Sequence, residues 1–129
     1  MSKSTFHLTY DAASGKYPNA MEDIIVELCN KCYVTEIGHP AESTFVFKMT
    51  SSDYDHVDVR AALATRFPKD FWFVISRVAY VNKRDTDSCI RHIAGKPCKE
   101  HTDAFPAVLQ KLKNAKKISA DVKNLSDWQ

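Results

Sequence analysis

Apolar residues in the first 82 positions of this chain recur by turns at every second position and at every third or fourth. Residues 5–10 read T-F-H-L-T-Y, which sends Phe6, Leu8 and Tyr10 to one face of a strand and Thr5, His7 and Thr9 to the other. Gly15 and Pro18 mark the loop that follows. Apolar residues at 21, 24, 25, 28, 29 and 32 then fall on one face of a helix, opened by Asn19 as N-cap with Glu22 three residues on. Residues 33–37 are rich in β-formers and predict a second strand, broken at Gly38, His39 and Pro40. Residues 44–49 alternate again, with Phe45, Phe47 and Met49 on one side. Val59, Ala62, Leu63 and Phe67 return to helical spacing, which Pro68 ends. Residues 71–81, F-W-F-V-I-S-R-V-A-Y-V, predict a long and central strand that is apolar on both faces.

Strand, helix, strand, strand, helix, strand is the order of the ferredoxin-like fold, a βαββαβ antiparallel sheet with two helices on one face, in the α+β class. Residues 1–82 form that domain. Residues 83–129 add a polar stretch and a helical C-terminal extension, with a helix over 105–118 striped by Val108, Leu109, Leu112 and Ala115 and a further turn or two after residue 119. The extension is expected on the sheet face left bare by the first two helices, or on the same face of a second subunit.

With 129 residues, the chain is one domain long. No apolar run approaches the ~18 residues of a membrane span, and the first residues carry no secretory apolar core, so a cytoplasmic location without membrane contact is expected. The only glycines are Gly15, Gly38 and Gly95, too far apart for a P-loop or a dinucleotide fingerprint. Residues 1–82 hold 8 Lys and Arg against 10 Asp and Glu; residues 83–129 hold 10 against 6. The tail is therefore mildly basic, which suits either a polyanion or acidic partner or simply a solvated lysine face.

Four cysteines raise the question of metal. Cys29 and Cys32 form a C-x-x-C, but both fall on the apolar stripe of the first helix, where a free cysteine behaves as a small hydrophobe. Cys89 with His92, and Cys98 with His101, pair soft ligands at the close spacing that tetrahedral zinc uses, so zinc is one reading of this cluster. Free thiols in a polar or helical stretch are the other. Phe45 and Phe47 stand on the third strand, where RNA-recognition modules of this topology stack bases; they fit equally under the helices as core. Trp128 is either a late anchor of the tail or exposed.

Tyr10 and Asp11 closing the first strand, the Ser43-Thr44-Phe45-Val46-Phe47 strand and the Asp70-Phe71-Trp72-Phe73-Val74-Ile75 strand together resemble the SinR-like branch of the CRISPR adaptation-subunit and virulence-associated toxin ribonuclease superfamily, over about residues 4–80. The resemblance implies a ferredoxin-like homodimer that acts on RNA or DNA. It also implies that Asp11 is the catalytic carboxylate and magnesium ligand, with two copies facing each other. The loop after Asp11 offers Lys16 where the family has an arginine. Read without the resemblance, Asp11 suits an Asx-turn leaving the strand. Two functions follow: a nucleic-acid-associated protein with a metal-dependent nuclease centre, or a non-catalytic regulator or inhibitor that binds a protein partner.

Overall fold

A computed structural model describes residues 3–50, 52–78 and 99–125. The chain is α+β, and the described residues form three helices and a five-stranded mixed sheet. The strands are β1 (Lys3–Ala12), β2 (Glu36–Ala41), β3 (Thr44–Thr50), β4 (Phe71–Val78) and β5 (Lys123–Asn124); the helices are α1 (Ala20–Lys31), α2 (His56–Arg66) and α3 (Lys99–Asn114). The sheet order is β4-β1-β3-β2-β5, antiparallel except where β5 runs parallel to β2.

Strand alternation decides what is buried. Phe6 and Leu8 of β1, Phe45, Phe47 and Met49 of β3, and Ile37 of β2 all turn to the face carrying the helices, where α1 seals them with Ile24, Ile25, Leu28 and Cys29 and α2 with Val59, Ala62 and Leu63. Phe45 and Phe47 are thus core, not base-stacking platforms. Arg66 at the end of α2 reaches Asp23 of α1 at 2.7 Å and pins the two helices side by side. Aromatic rings form a row across one end of this face. Phe71 stacks on Phe67 at 4.1 Å and on Tyr10 at 5.8 Å, Tyr10 continues to Phe45 at 5.9 Å, and Phe45 meets Phe105 of α3 at 6.2 Å.

That last contact corrects the expected position of the extension. α3 lies beside α1 on the covered face, with Phe105, Leu109 and Leu112 buried in the same core. Lys111 holds Glu22 of α1 at 2.8 Å, and His39 of β2 stacks on Phe105 at 5.5 Å. Two helices leave the β2 side of the sheet uncovered, and α3 fills it.

Four local expectations also change. Asn19 is the N-cap of α1 without a side-chain capping bond, its φ of −109° and ψ of 27° lying outside the extended conformation of a capping residue, and Glu22 pairs with Lys111. β2 begins at Glu36, later than expected. Tyr33 takes a left-handed turn (φ 50°) and Val34 donates back to the Leu28 carbonyl, so the exit from α1 uses residues 33–35. β2 then runs through Pro40, which is tolerated where the pairing register shifts between Gly38 and Ala41. Among the described residues β4 is an edge strand, not a central one, and Trp72 and Val74 of its second apolar face are exposed. Finally, the described residues after α3 lead into β5, not into further helix. Lys123 donates to the Thr35 carbonyl and Leu125 to that of Ile37, both at 2.8 Å, while Ile118 and Val122 are buried. No helix among the described residues is long and apolar enough to cross a membrane.

Candidate functional site

The second face of the sheet is built by the alternate residues of the same strands; Val46 and Gly38 in its middle are buried, and the part that stays open lies along β4 and the end of β1. β1 contributes Thr5, His7, Thr9 and Asp11, and the antiparallel register sets each of these opposite Val78, Ser76, Val74 and Trp72 of β4. On its other side β1 sets His7 opposite Val46 and Thr5 opposite Lys48 of β3. Directly opposed residues share a face with Cβ atoms about 5 Å apart. Asp11 and Trp72 are therefore neighbours, as are Thr9 and Val74.

Exposure singles out one part of this face. Trp72 is 59% and Val74 70% exposed, on a strand with no partner on its outer edge among the described residues. Asp11 beside them is exposed too. The loops below are anchored from both sides: Ala13 donates to the Asp70 carbonyl at 3.0 Å, Tyr17 donates its hydroxyl to the Lys69 carbonyl, and Lys16 lies 3.4 Å from the Asp70 carboxylate. Lys16, the cation nearest Asp11 in sequence, is thus already paired.

Magnesium prefers several oxygen ligands in octahedral array. No group of three or more His, Cys, Asp or Glu side chains that could hold a metal ion gathers among the described residues. Among the described residues Asp11 therefore stands outside any ready-made cluster, and these residues do not by themselves fit a magnesium centre within a single chain. Cys89, His92, Cys98 and His101 lie outside the described residues, save that the backbone at residue 101 belongs to α3.

Cys29 and Cys32 behave as the spacing predicts for core. Both are free and buried. Burial pushes the Cys29 thiol up to about 12, helped by the neighbouring Cys32. Burial likewise pushes Cys32 up to about 11, helped by the charges of Asp58 and Glu27. Neither is a thiolate near neutral pH, so neither is a ready nucleophile or metal ligand.

A cleft of about 470 Å³ opens at the other end of β1, between Phe6, Ile75 and Arg77 of the sheet and Tyr54, Asp55 and His56 at the start of α2. The Asp55 carboxylate in it is committed to the helix cap: it accepts from the Val57 amide at 2.9 Å, while the Asp55 amide donates to Asp58 at 2.8 Å. That capped terminus does not offer its free amides to an anion.

The open face was partly readable from sequence: alternation sets Trp72 and Val74 opposite Phe71 and Phe73, and His7 opposite Tyr10. Their exposure was not, because alternation sorts residues to a face without saying what covers it. Compared with known proteins, the chain matches no family model, no curated protein and no solved structure.

Proposed function

We propose that residues 3–78 are a ferredoxin-like unit of the SinR-like kind, and that the chain binds single-stranded nucleic acid on its open sheet face. The strand order β4-β1-β3-β2 with α1 and α2 on one face supports the fold assignment. The observation that carries the function is Trp72, exposed on the sheet and opposite Asp11. An aromatic ring standing on a strand stacks a base whatever its sequence, and threonines around it supply hydroxyl donors. The protein works as a homodimer in the cytoplasm, where the reduced state of Cys29 and Cys32 is kept. Nuclease activity with magnesium or manganese belongs to this reading only if two subunits bring two copies of Asp11 together.

A second reading has its own support. Val74 beside Trp72, on an edge strand, makes an apolar patch that suits a protein partner, as a regulator or inhibitor would use.

One experiment separates the two. The full chain is incubated with labelled single-stranded RNA and DNA, with and without magnesium or manganese, beside the Trp72→Ala and Asp11→Ala variants. Retention of nucleic acid, weakened by Trp72→Ala by roughly 1–3 kcal/mol, supports the binding reading. Cleavage that Asp11→Ala abolishes supports the nuclease. No retention at low salt overturns both and transfers the face to a protein partner. Metal analysis of the purified protein tests zinc at Cys89, His92, Cys98 and His101: one ion per chain supports it, and none removes it.

A further inference from the structure

The C-termini of α1 and α3 meet at one point. The Asn30 side-chain amide, one residue before the end of α1, donates to the Lys117 carbonyl just beyond the end of α3 at 2.9 Å. That single bond brings the backbones at Lys31, Lys116 and Lys117 together, and all three side chains are exposed. α3 turns off tightly here: Lys116 donates to the Lys113 carbonyl and Lys117 to that of Leu112, both at 3.0 Å. Lys123 follows on β5, in register with Glu36.

Three observations set this end apart. First, no acidic residue occurs between Asp103 and Asp121. Second, Lys31, Lys116 and Lys117 make no ion pair among the described residues, as is true also of Lys48, Arg60, Lys69, Arg77, Lys113 and Lys123, but here three such lysines meet where two helices end. Third, Lys116 stands at φ 60°, the left-handed position after a helix that glycine fills without strain. The dipole of each helix favours a cation at its C-terminus. It does not call for three within reach of one hydrogen bond, where they repel one another inside a Debye length.

We propose that this lysine end is the surface that holds the phosphate backbone of a nucleic acid. The proposal rests on the nucleic-acid reading above but uses a different surface. The lysines gather where β2 begins, beside the start of β1, whereas Asp11 and Trp72 lie at the end of β1. Phosphate contacts made by lysine release counterions, so each contributes to the salt dependence of binding and none to sequence preference. Stacking on Trp72 contributes to affinity without that dependence.

The test is the binding of a fluorescein-labelled oligothymidylate to the full chain across a series of salt concentrations, for the wild type, for Lys31→Gln with Lys116→Asn and Lys117→Gln, and for Trp72→Ala. Asn accepts the left-handed position, and thermal melts check that the triple variant is folded. The triple variant should lower the slope of log K against log salt by about 2, from about 0.7 per lost phosphate contact. Lys31→Gln alone, away from the turn, should lower it by about 0.7. Trp72→Ala should weaken binding at every salt concentration and leave the slope unchanged. A triple variant with the wild-type slope overturns the lysine surface while a weakened Trp72→Ala keeps the sheet-face reading. A lowered slope with Trp72→Ala unaffected does the reverse. A wild type that does not bind overturns both.

Discussion

Cys29 and Cys32 show how one side chain's surroundings decide its chemistry. A C-x-x-C pair reads as a redox or metal motif, yet here both thiols sit in the core and are held protonated well above the ordinary value of 9.0. Two outcomes follow. A thiol reagent should leave both cysteines nearly untouched in the native protein at neutral pH and modify them readily in urea; fast native labelling at these two positions, read by mass spectrometry, would contradict their burial. Stability should also fall in alkali. The folded chain keeps two protons that the unfolded chain loses near pH 9, so this contribution is whole below that pH and declines as pH rises toward about 12. Urea midpoints of the wild type and a Cys29→Ala, Cys32→Ala variant, compared across that range, should converge as pH rises.

Helix α2 is short and carries few buried residues, so its start matters. Asp55 and Asp58 bond reciprocally across its first turn. Asp55→Ala should cost about 1 kcal/mol, and Asp55→Asn much less, as read from urea unfolding. An alanine variant as stable as the wild type would remove the cap from the account. The elements that the sequence makes legible are those whose own periodicity fixes them: β1, α1, β3, α2 and β4 stand where alternation and helical spacing put them. What escaped is set by distant partners. Asn19 and Glu22 look like a capping box, but Asn19 is not extended and Lys111, 89 positions away, holds the glutamate. β2 starts late because Tyr33 and Val34 close off α1. Lys123 and Asn124 carry no strand signal of their own and pair only because the carbonyls of Thr35 and Ile37 are waiting.

Taken as one body, the described residues bury one face of the sheet under three helices and leave the other open along β4, while Val46 and Gly38 in its middle are buried. α3 completes the core that α1 and α2 leave short, through Phe105 against Phe45 and His39. Phe105→Ala should therefore cost about 3–5 kcal/mol and lower the urea midpoint sharply, as for a ring in the main core. A loss below about 1 kcal/mol would mean that α3 is not part of that core. Trp72, Val74 and Asp11 are exposed, and the proposed function depends on that. The most direct measurement is backbone amide shift mapping by NMR on the labelled full chain, titrated with single-stranded RNA. The account predicts shifts concentrated at Thr9, Asp11, Trp72 and Val74 and around Lys31, Lys116 and Lys117, with α2 silent. Shifts confined to the α1 and α2 surface, or none at low salt, would contradict it.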